Sequence, residues 1–114
     1  MGTMVLLRHT LADGSGHFDW MLERGGALLT WRVDEMPGDG ALRALRLADH
    51  RVAYLWYEGE ISGGRGRVAR VRAGEAEILE EAPERVCWRG RWEEGDWEKW
   101  EATRVDADWT LRRA

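Results

Sequence analysis

The chain carries three histidines, His9, His17 and His50. His17 and Asp19 lie in a run where Phe18, Trp20 and Leu22 alternate with His17, Asp19, Met21 and Glu23. Residues two apart on a strand leave the same face, so an imidazole and a carboxylate are presented side by side. His9 stands near the end of the preceding apolar run, Met4 to Thr10. The loop from Thr10 to Gly16, with Asp13, Gly14 and Gly16, can fold back and bring His9 beside His17. Two imidazoles and one carboxylate form a mixed N/O set suited to Mn²⁺, Fe²⁺ or Zn²⁺, with open positions for water and substrate. Many strands carry a His-x-Asp pair with no metal, and periodicity alone does not separate the two cases. A second cluster, Asp49-His50 with Tyr54 four residues on, reads either as a reactive pair or as a turn histidine beside a half-buried tyrosine.

The elements that must position these residues read mostly as strands. Met4 to Thr10 and Phe18 to Glu23 are two of them, and the second shows the period of two. Arg24-Gly25-Gly26 is a tight turn, and Ala27 to Val33 is its return strand. Asp34 to Gly40 is a loop, and Ala41 to Leu47 fits a helical turn or a strand equally. Val52 to Ile61 is rich in β-formers and predicts a strand with a bulge at Gly59. Ser62 to Gly66 is a glycine loop. Arg67 to Arg72 predicts a strand whose arginines face water, Ala73-Gly74-Glu75 a turn, and Ala76 to Glu81 its continuation. Arg85 to Arg89 is a further strand and Glu93 to Asp96 an acidic turn. Trp97 to Val105 and Trp109 to Arg113 form a final hairpin. Turn signals every eight to twelve residues point to a mainly β, antiparallel barrel with at most short helices, in one domain over residues 1–114.

Composition sets outer bounds. With 44% hydrophobic and 33% charged residues, the chain is globular. No apolar run approaches the roughly 20 residues of a membrane helix, and the N-terminal apolar stretch is short for a signal peptide. The single cysteine, Cys87, excludes an intrachain disulfide framework and reads as a buried thiol. A cytoplasmic location is expected. The net charge of −4 disfavours broad, nonspecific coating of nucleic acid but permits a grip on one strand end through a few arginines. Lys99 is the only lysine, which all but excludes lysine-based chemistry. Eight tryptophans, five of them at Trp88, Trp92, Trp97, Trp100 and Trp109, fit the packing of a small barrel better than an exposed stacking surface.

His9, followed by His17-Phe18-Asp19-Trp20-Met21-Leu22-Glu23, resembles the signature of the 3'-phosphoesterase domain of bacterial ligase D. The match continues through the glycine turn, the Leu28 to Val33 strand with Trp31, Asp49-His50 with Tyr54, and Tyr57-Glu58-Gly59 before Ile61. All three histidines fall on family positions at once. The resemblance covers Val5 to about Val71 and, more loosely, the terminal hairpin. It implies a small β-barrel with Mn²⁺, or another divalent ion such as Zn²⁺, on His9, His17 and Asp19. It implies that His50 and Tyr54 contact the reacting phosphate. The implied activity is repair of nucleic-acid 3' ends in end joining. No ligase or polymerase domain is read in the sequence, so those functions are expected on separate partner chains.

The sequence departs from the family pattern at several points. Met21 stands where many members carry an arginine, Ala48 replaces an acidic residue, and Glu35 falls near the loop lysine. Arg32, Arg65 or Arg8 are the candidates to supply the positive charge a phosphate needs. An arginine at position 21 is expected to strengthen the hold on phosphate, provided the side chain is not buried. The alternative function is a non-catalytic module that binds a metal or a phosphorylated end after losing the phosphate clamp. The third reading is a structural domain with no metal.

Overall fold

A computed structural model describes residues 1–114. Nine strands follow in chain order: β1 (Gly2–Thr10), β2 (Gly16–Arg24), β3 (Ala27–Val33), β4 (Leu42–Arg51), β5 (Gly59–Glu60), β6 (Arg67–Ala82), β7 (Arg85–Trp92), β8 (Glu98–Val105) and β9 (Asp108–Arg113). They form one antiparallel sheet in the order β1-β2-β3-β4-β9-β8-β7-β6-β5. Pairing of β1 with β6 closes it into a ring, a barrel-like, mainly β architecture as expected. No helix is long and apolar enough to cross a membrane.

The ring is filled by aromatic side chains. Trp20, Trp31, Trp88, Trp100 and Trp109 are buried with Met4, Leu6, Leu22, Leu29 and Leu111 in one interior cluster. Trp20 meets Trp88 and Trp100 edge to face, with centroids 5.3 and 4.9 Å apart. That geometry sets the positive edge of one ring against the negative face of another. The packing role read from the sequence therefore holds for these five. Trp97 lies at the surface between Arg89 and Arg91, and Trp56 is solvated. Cys87 is buried and free, and burial pushes its thiol pKa up.

The first hairpin forms where the sequence places it. Gly25 and Gly26 have φ of 62° and 82°, a conformation open to glycine and needed for a two-residue turn that follows the strand twist. Ala41 to Leu47 resolves as strand, most of it in β4, with Leu42 and Ala44 inward.

Two expectations are corrected. Val52 to Ile61 is not a strand. It forms a 3₁₀ turn over Val52–Leu55, an irregular link and the two-residue β5. Val52, Tyr54, Leu55 and Ile61 all pack on one apolar patch with Val5, Leu7, Met21, Leu28 and Val68. A strand would send the neighbours Tyr54 and Leu55 to opposite sides, and a turn delivers both to the patch. Nor do Ala73-Gly74-Glu75 turn the chain, because β6 runs unbroken for 16 residues. Gly74 sits where β6 takes on β7 at one edge while still paired to β1 at the other. A Cβ there would lie 1.9 Å from the Arg91 carbonyl oxygen, so the glycine serves close strand approach.

Trp20→Ala is expected to cost about 3–5 kcal/mol of stability, by lost burial and the cavity left behind. Trp56→Ala, at a site 67% exposed, is expected to change stability by less than about 0.5 kcal/mol. Urea unfolding of both variants checks the contrast, and equal losses would contradict it.

Candidate metal centre

Strand alternation gives the sheet a second face. Even-numbered residues of β1 and β2, such as Leu6 and Trp20, point into the ring, while Val5, Leu7, His9, His17, Asp19 and Met21 share the outer side. His9 pairs directly with His17, and Leu7 with Asp19. The turn and loop from Val52 to Gly66 cross over this outer patch and bury part of it. The site thus lies outside the barrel wall, between it and a covering segment.

His9, His17 and Asp19 converge there. The His17 Nε2 to Asp19 Oδ1 distance is 3.1 Å, and His9 Nδ1 to Asp19 Oδ2 is 3.9 Å. One ligand atom from each of the three residues fits within 4.8 Å of the others. Atoms that bind one divalent transition ion at about 2.0–2.3 Å lie roughly 3–4.5 Å from one another, so a small closing motion completes the set.

The hydrogen bonds orient these atoms. His9 Nε2 lies 2.7 Å from the Arg65 carbonyl oxygen, which can only accept, so Nε2 carries the proton. In neutral imidazole that leaves a lone pair on Nδ1, turned to the Asp19 carboxylate. Asp19 Oδ1 is buried without a hydrogen bond although His17 Nε2 is near, since that contact is not aligned for proton sharing. His17 Nδ1 is also buried without a partner. Two imidazoles and a buried carboxylate thus converge with hydrogen-bonding capacity unmet at Asp19 Oδ1, a donor set that a cation would satisfy. The donor chemistry fits a Mn²⁺- or Zn²⁺-class ion.

Burial governs the titration of the pair. It lowers the His17 pKa, an effect Asp19 opposes and the charges of Arg32 and His9 reinforce. Burial also raises the Asp19 pKa, against the stabilising fields of His17, His50, His9 and Arg32. Without a cation, the ionised carboxylate therefore costs stability as pH rises through its raised value.

The remaining candidates divide. His50 and Tyr54 join His9 and Asp19 around a cavity of about 110 Å³ floored by Met21 and Val68. The His50 and Tyr54 rings meet edge to face at 5.7 Å. His50 Nδ1–H donates to the Ala48 carbonyl at 3.0 Å, which leaves Nε2 as its other functional nitrogen. Arg65 lines the same cavity, but its guanidinium is tied back to the Ser62 carbonyl at 2.8 Å. Arg32 pairs with Asp19 across β2–β3 yet opens on a neighbouring cavity with Arg43 and Asp108. Arg8 packs its guanidinium over Phe18 instead. Met21 does share the face of Asp19, but it is 1% exposed in the apolar patch. The proviso on an arginine at position 21 therefore fails, because a guanidinium there would have to displace packed apolar side chains and give up its hydration.

No motif or spacing pointed to the role of the Arg65 carbonyl. Gly66 is the residue that carries it. Its φ is 88°, and a Cβ there would lie 2.0 Å from the Thr10 carbonyl oxygen, so only glycine lets the loop close on β1. No protein-family model and no curated protein matches the chain.

Mn²⁺ is expected to raise the melting temperature near pH 7.5 by binding the folded state. Protons compete for imidazole nitrogen, so the shift should shrink as pH falls below about 6.5, the ordinary imidazole value. Because the folded pKa of His17 is depressed, its own stability contribution is complete above that value. It is lost as pH falls from there through the lowered one. Differential scanning fluorimetry across this range tests both points, and a Mn²⁺ shift that stays flat down to pH 5 would contradict them.

Proposed function

We propose that the chain is a divalent-metal-dependent, Mn²⁺-type phosphoesterase of the 3'-phosphoesterase kind, acting on phosphate ends of nucleic acid in end-joining repair. One observation carries the reading. The bond from His9 to the Arg65 carbonyl turns a lone pair toward Asp19 and His17, beside His50 and Tyr54 in a single cavity. The family resemblance supplies the substrate class, a nucleic-acid 3' end, and the single-cysteine composition supports a cytoplasmic setting.

His9 Nδ1, His17 Nε2 and the Asp19 carboxylate would hold the ion. The chemistry such an ion would supply there is Lewis-acid polarisation of a phosphate oxygen and activation of water at neutral pH. His50, steadied through its Nδ1–H, would present Nε2 to the phosphate and, in its doubly protonated imidazolium form, donate the Nε2 proton to the leaving oxygen. The Tyr54 hydroxyl would orient a second phosphate oxygen. Arg32, through its field, and Arg65, once its guanidinium leaves Ser62, would offset the developing charge. The wall of Leu7, Met21, Leu55 and Val68 thins the water around these groups and strengthens each interaction.

The alternative, a module that binds a metal or a phosphorylated end without turnover, has its own support. Met21 is sealed in the patch and the Arg65 guanidinium is engaged at Ser62, so no free guanidinium enters the cavity.

Purified protein with Mn²⁺ is expected to release phosphate from 3'-phosphorylated DNA. His17→Ala should abolish that turnover together with Mn²⁺ binding. His50→Ala should lower turnover about 10²–10⁴-fold and keep Mn²⁺ binding. Mn²⁺ binding with no turnover on 3'-phosphate DNA or on simple phosphodiesters would overturn the enzyme reading in favour of the module.

A further inference from the structure

Beside the metal cavity lies a larger cleft of about 280 Å³, and the two share Tyr54, Ile61 and Arg65. Tyr57 lines only the larger one and is 42% exposed. Its ring is braced twice. The hydroxyl donates to the Glu60 carbonyl, and the ring meets Tyr54 edge to face at 6.1 Å. Gly59 supports this placement, with φ of 128° and a Cβ position 3.4 Å from the Tyr57 hydroxyl oxygen. His50, Tyr54 and Tyr57 thus form a chain of rings leading outward from Asp19. Arg51 and Arg65 add positive charge to the lining.

A half-exposed ring fixed by its own hydroxyl gives up little freedom when a flat partner lies on it. A cleft that combines such rings with arginines, and opens into a phosphate-sized cavity, suits a planar heteroaromatic group joined to a phosphate. We propose that this cleft is a nucleobase subsite, with Tyr57 stacking the base of the nucleoside whose phosphate enters the metal cavity. The position of the phosphate rests on the function proposed above. The stacking at Tyr57 is a separate claim.

The test uses calorimetric titration of the full chain, with and without Mn²⁺, by adenosine 3'-monophosphate, adenosine and inorganic phosphate. In the wild type the nucleotide should bind tighter than phosphate. Tyr57→Ser should weaken nucleotide and adenosine binding roughly tenfold, as loss of one base–aromatic stack does. It should leave the affinities for phosphate and Mn²⁺ unchanged, which also shows that the covering segment has kept its place. Tyr57→Phe should retain base binding. A nucleotide that binds no tighter than phosphate, or a Tyr57→Ser variant that keeps wild-type nucleotide affinity, would overturn the subsite. If Tyr57-dependent adenosine binding persists while Mn²⁺ and phosphate fail to bind, the subsite stands and the phosphoesterase reading falls.

Discussion

Along β1 and β2 the backbone sends successive side chains to opposite faces, and the two faces meet different surroundings. One face enters the tryptophan interior, where Trp20 sits against Trp88 and Trp100. The other carries His9, His17, Asp19 and Met21. A one-residue slip would drive the imidazoles and the carboxylate into the aromatic core and put Trp20 outside. Each buried large side chain contributes about 1.5–3 kcal/mol by leaving water, so the interior holds the register firmly. The same register sets His9 opposite His17 and Leu7 opposite Asp19. Core packing and site geometry are therefore one constraint.

A patch of Val5, Leu7, Met21, Leu28 and Val68 on the outside of a sheet would be costly if left wet. The segment from Val52 to Gly66 covers it, with Leu55 as the buried plug. That cover brings the Arg65 carbonyl to His9 and sets Tyr54 beside His50. It also removes water from Asp19, which raises the carboxyl pKa. The hydrophobic need of the patch thus creates the electrostatic need of the site.

Much of this was legible in the sequence, for identifiable reasons. The alternation from His17 to Glu23 and the Gly25-Gly26 turn are local signals, and both elements form as read. The convergence of His9 with His17 followed from the loop glycines. Features that depend on distant partners were not legible. The proton position on His9 is fixed by a carbonyl 56 residues further along the chain. The fold of Val52 to Ile61 depends on a patch drawn from β1, β2, β3 and β6. The adjacent pair Tyr54-Leu55, apolar side chains with no alternation, was the available hint that this segment is a cover and not a strand. At Gly74 the glycine signal was real, but it marked close strand approach where a turn was expected. Met21 was placed on the correct face, yet its burial came from neighbours outside its strand.

The proposed function requires that His9 Nδ1, His17 Nε2 and the Asp19 carboxylate together hold one divalent cation. Anomalous diffraction from a crystal soaked in Mn²⁺ tests it most directly. A single strong anomalous peak is expected at about 2.0–2.3 Å from these three groups, with His9 Nε2 still bonded to the Arg65 carbonyl. Full Mn²⁺ loading of the crystal with no peak there, or with His9 Nδ1 turned away from Asp19, would contradict it.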